Sequence, residues 1–428
     1  MQVAFETLGC RLNEAESETW ARHFRARGAV IVPVSRADVV VLNTCAVTGE
    51  AMRKSRQIIR RLKRANPSAR LVVSGCYATL HPDEMAKALE VDLVVPNRDK
   101  DRLVELTSQI LPQHSPPRLT EDSIVFTPSR QRAFIKVQDG CRHRCSFCIV
   151  TVARGQERSR PVQDIIAEIR QLREEGIQEA VLSGVHLGGY GSELGIGLSD
   201  LILAVLSETD LPRLRLGSLE PWELTEDFFA LLRHPRLMPH LHLPLQSGSD
   251  SILKRMARRC LSEDFRHLVS QARNHRPDLT LTTDIIVGFP GETDQDFARS
   301  MELAQEVGFA HIHIFPFSPR EGTAAAGFPH QVSNPIKKER SRQLHHLAAS
   351  LRRQAFQAHM GQIQPVLWER GRIDAGRQIF TGYTPHYLRV RIELPNDVDL
   401  TNTIRPTRLI GLGEEGDHLI GALAEAAH

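Results

Sequence analysis

Short apolar runs alternate with longer polar segments over the first 110 residues. These apolar runs predict strands at 3–7, 39–42, 71–73 and 93–95, of which 39–42 is rich in β-branched residues. Helices are predicted from about residue 13, over about 49–65 and after Pro82. Because strands and helices alternate, this part of the chain is predicted to form a parallel sheet with helices on its faces.

Six further strand–helix units are predicted between residues 133 and 318. Their strands are expected at 133–137, 180–182, 213–216, 240–243, 281–286 and 311–315. In the helix predicted over 162–175, Ile165, Ile169 and Leu172 recur at helical spacing, and Gly176 follows as a C-terminal cap. Six consecutive units predict a partial or complete barrel whose site lies at the carboxyl ends of the strands.

The pattern changes again after residue 319. A segment containing Pro and Gly leads into a basic helix predicted over 337–360, and short β runs at 366–369, 379–383, 388–393 and 418–423 predict a small all-β barrel. Residues 111–132 are rich in Pro, Ser and charge, which is typical of a linker. The fold class is therefore α/β, and the predicted division is an α/β domain at 1–112, a linker at 113–132, a barrel with a trailing helix at 133–360 and a β module at 361–428.

The composition is that of an ordinary globular protein, with 41% hydrophobic and 25% charged residues among 428. The N-terminus lacks the basic and apolar regions of a signal peptide, and no run of about 18 apolar residues suggests a membrane span. We therefore expect a cytoplasmic protein without a membrane partner. In that reducing compartment, seven cysteines that are partly clustered indicate a metal or catalytic site rather than disulfides.

Three of the cysteines, Cys141, Cys145 and Cys148, have the spacing C-x3-C-x2-C directly after a predicted strand. A four-iron cluster normally has four thiolate ligands, so three leave one iron open for a bound molecule to chelate. A structural zinc site or three unrelated thiols are the alternatives, but zinc ribbons usually pair two C-x2-C knuckles and no second one is present. With Phe147 before the third cysteine, the motif resembles the signature of the radical S-adenosylmethionine (SAM) superfamily. The resemblance implies that the open iron binds SAM and that reductive cleavage yields a deoxyadenosyl radical.

The predicted barrel strands end in segments that suit a ligand. Five of them finish in patches rich in Gly, Pro or polar residues, at 183–191, 217–221, 243–250, 284–293 and 315–319. Glycines there let a ligand approach the backbone and polar side chains could hold SAM, although Gly and Pro could merely turn the chain. The candidate SAM contacts are Phe147, Gly184, Ser218, Glu220, Gln246, Ser247 and Phe315.

A second set of cysteines consists of Cys10, Cys45 and Cys76, each just past the carboxyl end of a predicted strand. Such ends meet at one edge of a parallel sheet, where ligands bind, so the three thiols can converge on a second cluster. Scattered buried thiols are the alternative. Cys260 has no cysteine nearby and is expected to be a spare thiol.

With both cysteine sets placed, the chain resembles the radical SAM methylthiotransferases over essentially its full length. The matching stretches are TLGCRLNEAES, VLNTCAVT, VSGCYA, KVQDGCRHRCSFC, ARGQERSR, LPLQSGSD, DIIVGFPGET and SPREGTAA. The resemblance implies an N-terminal methylthiotransferase domain, a (β/α)6 partial barrel and a TRAM-like β-barrel, with two [4Fe–4S] clusters, SAM and an external electron donor. It also implies that the six clustered cysteines are catalytic, that the N-terminal cluster holds the donated sulfur, and that a second SAM supplies the methyl group.

Three stretches, SGVHLGGYG, RKSRQIIRRLKRANP and RLGSLEP, resemble the bacterial enzymes that modify N6-threonylcarbamoyladenosine at position 37, next to the tRNA anticodon. Sister enzymes act on isopentenyladenosine or on a ribosomal-protein aspartate. His186 could pair with the threonine carboxylate, or it could be a loop histidine that packs.

The chain departs from the family pattern in two places. It lacks a Pro soon after Cys148, which could alter the loop over the cluster, and its C-terminal module is short and weakly basic.

Basic segments at 53–64 and 337–353 indicate an RNA partner, because cationic stripes neutralise phosphates. A solvated helix face is the alternative for each segment. The candidate contacts with the anticodon stem-loop of tRNA are Arg53, Lys54, Arg60, Arg61, Arg154 and His186. Two other functions stay open: modification of a protein side chain by the same scaffold, and a non-catalytic iron–sulfur or zinc protein that binds RNA. The non-catalytic protein is disfavoured by the cysteine triplet that leaves one iron open and by the five patches at strand ends.

Overall fold

The computed structural model describes residues 1–110, 132–374 and 376–424. They belong to two compact units. Asp139–Glu157 and Ser318–Ala326 join residues 1–110 in the first unit, and the other described residues form the second. The predicted linker lies outside the described residues except for Arg132. The predicted domain boundaries stay predictions, and two segments that were predicted within the barrel belong to the first unit.

The first unit contains a parallel five-stranded sheet with helices on both faces. Its strands are β1 (Gln2–Thr7), β2 (Val30–Ile31), β3 (Val39–Thr44), β4 (Arg70–Gly75) and β5 (Leu93–Val95), in the spatial order β2-β1-β3-β4-β5. Its helices are α1 (Arg11–Ala26), α2 (Gly49–Ala65), α3 (Cys76–Leu80), α4 (Leu103–Gln109) and α5 (Val150–Arg154), with short helical turns at Val34–Arg36, Glu84–Ala88 and Asn97–Arg102. Alternate residues of β3 face opposite sides, so that Val41 packs in one core with Phe24 of α1 and Leu42 in another with Ile59 of α2.

The second unit contains the predicted barrel. Its strands are β6 (Arg132–Lys136), β7 (Gln138–Asp139), β8 (Arg158–Ser159), β9 (Glu179–Ser183), β10 (Arg213–Leu216), β11 (His240–His242), β12 (Thr280–Val287) and β13 (His311–Pro316), of which Asp139 belongs to the first unit. Parallel pairing joins β6, β9 and β10 in one sheet and β11, β12 and β13 in another. Single bridges Leu214–Leu237 and Ser218–His242 connect the two sheets. The strands β6, β9, β10, β11, β12 and β13 thus form the partial (β/α)6 barrel predicted from the sequence.

Helices cover the outer face of this barrel. They are α6 (Val162–Glu174), α7 (Leu198–Glu208), α8 (Glu226–Leu231), α9 (Asp250–Arg255), α10 (Ser262–His275), α11 (Asp294–Val307) and α12 (Asn334–Ala358), with short turns at Leu187–Gly189, Pro221–Glu223 and Ala324–Gly327. Leu241, Ile285 and Ile312 of three adjacent strands join the core that these helices build. Among the residues that the structure describes, no helix is long and apolar enough to cross a membrane.

The C-terminal strands form a closed five-stranded barrel, as predicted. They are β14 (Ile363–Trp368), β15 (Arg372–Asp374), β16 (Arg377–Tyr383), β17 (Arg389–Leu394), β18 (Ile404–Leu412) and β19 (Leu419–Leu423). Their order is β14-β18-β19-β17-β16, and a further pairing between β14 and β16 closes the ring, while β15 extends β16 as a hairpin. Val366, Trp368, Phe380 and Val390 fill its core.

This small barrel closes the amino-terminal end of the larger one within the second unit. The guanidinium of Arg132, at the start of β6, lies 4.3 Å from the ring centroid of Tyr383. The guanidinium of Arg215 lies 4.7 Å from the ring of Tyr387, and its Nε lies 3.0 Å from Glu179 Oε1. Arg132, Arg215 and Glu179 are buried, so the beginnings of the strands are sealed and the opposite ends are left for a site.

Candidate active site

The N-terminal cysteines lie at one edge of the first sheet. Cys10 follows β1 and is exposed, whereas Cys45, after β3, and Cys76, after β4, are buried. Close backbone contact brings their loops together, because a Cβ added to Gly9 would lie 2.9 Å from the Cβ of Cys45. Gly9 also has a backbone φ of +129°, a value that residues with a side chain rarely adopt. The sequence therefore needs glycine at this position to let the Cys10 loop approach Cys45.

The three thiols influence one another. Burial raises the pKa of the Cys45 thiol to about 11, and the neighbouring Cys76 and Cys10 thiols add to the shift. Asn97 Nδ2 lies 3.8 Å from Cys76 Sγ, and Asn13 Oδ1 lies 3.8 Å from Cys10 Sγ. All three are free cysteines. Three adjacent free thiols in a largely buried setting fit an iron–sulfur cluster, whose positive irons offset the burial of thiolates.

The C-x3-C-x2-C segment is folded by hydrogen bonds within the first unit. The Cys141 N–H donates to Gly155 O at 3.1 Å, and the Cys148 N–H donates to Cys145 O at 3.0 Å. The His143 N–H donates to Cys141 Sγ at 3.4 Å. Burial raises the pKa of Cys141 to about 12, and the thiols of Cys148 and Cys145 raise it further while the bond from His143 lowers it. These three thiols also lie close enough to interact, which fits a second cluster.

Helix α5 begins two residues after Cys148. The family pattern usually has a proline a few residues after this cysteine. Val150–Arg154 forms this short helix, and the sequence has no proline between Cys148 and Arg160. Phe147, between the last two cysteines, is partly exposed. In this chain the cysteine segment continues directly into a helix.

Arg154, at the end of α5, contacts the segment that follows Cys10. Its Nη1 donates to Glu16 Oε1 at 2.9 Å and to Asp139 Oδ1 at 3.0 Å, and its Nη2 donates to Asn13 Oδ1 at 2.8 Å. Burial acts to lower the pKa of Arg154, but Glu16, Cys76, Asp139 and Cys10 together raise it well above its ordinary value. The side chain is 2% exposed, so it has almost no surface to offer a substrate.

Segment Ser318–Ala326 places a second cation at the N-terminal cysteines. A Cβ added to Gly49 would lie 3.1 Å from Arg320 Nη1, so the guanidinium lies at the start of α2. Burial lowers the pKa of Arg320, and the nearby Cys45 thiol opposes the shift. The Ala325 N–H donates to Ser146 O at 2.8 Å, which fixes this segment to the other cysteine loop. Sequence reasoning did not place Arg154 or Arg320 beside a cysteine, and the matching stretches ARGQERSR and SPREGTAA were the available signal.

The predicted SAM contacts of the second unit lie at the carboxyl ends of parallel strands. Gly184 follows β9, Ser218 follows β10 and is exposed, and Phe315 in β13 is 43% exposed. Glu220 pairs with Arg258 at 2.7 Å. Their role in SAM binding stays a prediction.

Two of these predicted contacts follow β11 and are buried. Gln246 adopts φ +68°, and its N–H donates to Asp284 O at 2.8 Å. Ser247 is 0% exposed, and its hydroxyl lies 3.2 Å from the hydroxyl of Ser300. The Ser247 side chain thus supports the turn after β11 in the folded chain.

His186 is also buried, at 1% exposed. Its Nε2 contacts Glu223 Oε2, and its backbone N–H donates to Gln138 Oε1 at 2.9 Å. Of the two roles considered from the sequence, a packed loop histidine matches this setting more closely than an open carboxylate partner.

The basic segment at 53–64 is helix α2, and its cations fall into two groups. Four are paired with acids: Lys54 with Glu50, Arg56 with Glu84, Arg61 with Glu6 and Lys63 with Glu90. Arg53, Arg60 and Arg64 are exposed and make no ion pair with any residue that the structure describes. Spacings of seven and four residues place these three on one face, which we call the arginine stripe. In the second basic segment, Lys337 and Arg340 turn inward, where Arg340 Nη1 lies 2.7 Å from Glu292 Oε2.

A polar cluster inside the barrel was not found from the sequence. His242 of β11, Asp284 of β12 and His313 of β13 each offer an atom within 4.8 Å of the others. The stretches HLH and HIH, in strands with period two, were the signal that could have located it.

Two family models match the chain. Residues 2–96 match the model described as "Uncharacterized protein family UPF0004", and residues 135–304 match the Radical SAM superfamily. The threonylcarbamoyladenosine tRNA methylthiotransferase MtaB of Thermotoga maritima is 39% identical over 346 residues, which cover 79% of this chain and 80% of the relative. The chain belongs to the radical SAM methylthiotransferase family. This methylthiotransferase is accordingly an enzyme that uses SAM and [4Fe–4S] clusters, as the sequence predicted.

Two further comparisons bear on its specificity and its fold. The tRNA-2-methylthio-N(6)-dimethylallyladenosine synthase of Cereibacter sphaeroides is 36% identical over 409 residues, or 92% of each chain. The radical SAM methyltransferase TsrM of Kitasatospora setae, whose structure contains cobalamin and a [4Fe–4S] cluster, has a TM-score of 0.58 and 14% identity, and covers 76% of this chain and 77% of its own. The methylthiotransferase therefore shares its fold with that enzyme.

Proposed function

We propose that the protein adds a methylthio group to C2 of N6-threonylcarbamoyladenosine at position 37 of tRNA, next to the anticodon. The observation that carries the proposal is the 39% identity to a relative named for this substrate, over about four fifths of both chains. The relative named for dimethylallyladenosine is 36% identical, so an isopentenyl-bearing tRNA is the second candidate. A ribosomal-protein aspartate is the third, from the sister enzymes of the family.

The six clustered cysteines have separate roles in this proposal. Cys141, Cys145 and Cys148 hold the cluster that binds SAM, and Cys10, Cys45 and Cys76 hold the cluster that carries the sulfur. When bound, these groups supply one-electron cleavage of SAM and the sulfur and methyl group that are transferred. An external electron donor completes the reaction.

The chain's own residues exclude water and fix the ligands. Cys45 and Cys76 are buried, and Asn97 lies against Cys76 Sγ. Arg154 binds Glu16, Asp139 and Asn13, and so holds the segment after Cys148 against the segment after Cys10. Arg320 supplies a cation beside Cys45. These contacts support a site in which both cysteine sets stay in fixed positions.

Helix α2 supplies the surface that would contact RNA. The arginine stripe carries three exposed cations that form no ion pair with the described residues, which suits a run of phosphates. The other basic residues of α2 are neutralised by carboxylates, so they contribute less to phosphate binding. A base next to the anticodon must be unstacked before its C2 can reach a buried centre.

The experiment that tests this proposal has two parts. Mass spectrometry of tRNA nucleosides from a strain without the gene should show N6-threonylcarbamoyladenosine in place of its 2-methylthio derivative. Reconstituted enzyme with SAM and a reductant should then methylthiolate tRNA that bears the threonylcarbamoyl group and ignore the same tRNA made without it. Modification of isopentenyl-bearing tRNA instead would favour the second candidate.

A further inference from the structure

Side chains on the inner face of the barrel in the second unit become more exposed from the amino-terminal ends of the strands towards their carboxyl ends. At the amino-terminal ends, Glu179 and Arg215 are buried beneath Tyr387. Farther along the same face, His240 is 4% exposed, the His242 side chain is 16% exposed, and His313 is exposed. A ligand therefore reaches this face from the carboxyl ends of the strands, where substrates bind in barrel enzymes.

Three side chains form a polar cluster on the open part of that face. We call His242, Asp284 and His313 the inner-face cluster. Asp284 and His313 lie directly opposite each other in the register of β12 and β13. His242 Nε2 lies 3.3 Å from Asp284 Oδ1, and the rings of His242 and His313 are 5.7 Å apart. Two hydrogen-bond donors and one acceptor thus meet within a few ångströms.

The strands hold this cluster in place. His242 Nδ1 lies 2.9 Å from the hydroxyl of Thr282, which leaves Nε2 to face Asp284. The ring of His311 packs edge-to-face on His313, with centroids 4.4 Å apart. Leu241 and Ile285, which adjoin His242 and Asp284 in sequence, are buried in the core on the other face of the strands. A shift of one residue in strand register would therefore turn the polar side chains of the cluster into the core.

We propose that the inner-face cluster binds the polar threonylcarbamoyl arm of the substrate adenosine, an inference that rests on the function proposed above. The arm carries a carboxylate, a hydroxyl and urea N–H groups. A ring N–H of His313 donates to the carboxylate, and Asp284, positioned by His242, accepts from the hydroxyl or a urea N–H.

The same cluster selects against an apolar substituent. An isopentenyl group has no donor or acceptor, so its binding would displace water from three polar side chains and supply no hydrogen bond in its place. A site built to hydrogen-bond a substrate rejects analogues that lack the bonding group far more strongly than an apolar pocket rejects a small change in size. His313 is therefore a specificity-determining residue for the threonylcarbamoyl arm.

The test measures binding of anticodon stem-loops by reconstituted holoenzyme with fluorescence anisotropy. Stem-loops with threonylcarbamoyladenosine, with unmodified adenosine and with isopentenyladenosine are compared. His313→Ala should weaken binding of the first about 10-fold, the effect of one hydrogen bond to a charged group, and leave the other two unchanged. His313→Gln, which keeps an N–H donor, should recover part of the loss. His345→Ala is the matched control, because His345 is an exposed histidine on α12.

The outcomes separate this inference from the function on which it rests. Wild-type enzyme that binds and modifies all three stem-loops alike would refute the function and the inference together. Wild-type enzyme that discriminates, with His313→Ala discriminating equally well, would refute the inference alone. Equal weakening of all three stem-loops by His313→Ala would also refute it, because that pattern is general damage. SAM cleavage in the absence of RNA should be unchanged in His345→Ala.

Discussion

Arg154 Nη1 lies 2.9 Å from Glu16 Oε1, and the two side chains are 2% and 3% exposed. Arg154 comes six residues after Cys148, and Glu16 comes six residues after Cys10. The ion pair therefore joins the two chain segments that carry the two cysteine sets. Lys100 Nζ lies 2.6 Å from the other oxygen of Glu16, so the carboxylate is held by two buried cations.

Replacing Arg154 with Met should lower the free energy of unfolding by about 3–5 kcal/mol, because Glu16 and Asp139 would keep buried charges with one partner fewer. It should also lower the iron content, because the two cysteine segments would no longer be tied together. Chemical denaturation and iron analysis of the anaerobically reconstituted protein measure both effects.

Lys100→Met is the matched control for that substitution. It removes a buried cation from the same carboxylate, but from a segment without cysteine. We expect a comparable loss of stability with iron retained. Equal loss of iron in both variants would mean that Arg154 acts through general stability and not by joining the cysteine segments.

The reconstituted protein should contain about eight iron atoms, since each cysteine set is expected to hold a four-iron cluster. Changing Cys141, Cys145 and Cys148 to Ala should remove about half of them. Cys260→Ala is the control, because this buried thiol lies in the second unit, in the barrel core. If the triple variant retains all its iron, the assignment of the triplet is wrong.

The two cysteine sets should separate by function. Cys10→Ala, Cys45→Ala or Cys76→Ala should abolish the methylthio product while SAM is still cleaved to deoxyadenosine. The reason is that, in the proposed division of roles, SAM cleavage needs only the open iron held by the other triplet. Chromatography of deoxyadenosine and mass spectrometry of the tRNA measure the two reactions in one sample. A methylthio product from any of these variants would contradict the proposed division.

Strong apolar patterns made most of the fold predictable. β3 was expected at 39–42 and extends over Val39–Thr44, and the predicted 49–65 helix matches α2 (Gly49–Ala65). β15 (Arg372–Asp374) was missed because all three of its residues are exposed, so no buried face marks it. β18 (Ile404–Leu412) was missed because Pro406 and the exposed Ile410 break its alternation.

The candidate site was predictable only in part, for a related reason. Cysteines after strand ends can be located from periodicity, because parallel strands bring those ends to one edge. The pairing of Arg154 with Glu16 joins residues 138 positions apart, and no local pattern specifies which buried polar groups become partners. The cations of α2 could be counted from the sequence, but their division into paired and unpaired groups depends on acids from other elements.

The arginine stripe should carry most of the RNA affinity of α2. Changing Arg53, Arg60 and Arg64 to Gln should weaken tRNA binding and reduce the slope of log K against log salt by about 1 for each phosphate that is no longer neutralised. The effect should be similar for tRNA with and without the threonylcarbamoyl group, because phosphate contacts do not read the base. Binding measured over a series of salt concentrations gives the slope.

A matched triple variant tests whether tRNA binding depends on the position of the cations on α2 or only on their number. Changing Lys54, Arg61 and Lys63 to Gln removes the same charge from the same helix, but from cations that already pair with Glu50, Glu6 and Glu90. Its salt slope should change much less, because paired cations release fewer counterions on binding. Equal effects of the two variants would mean that tRNA responds to the net charge of the helix, and the stripe would then have no distinct role. A larger effect of the stripe variant, with iron content and SAM cleavage unchanged, would place the RNA backbone along that face of α2.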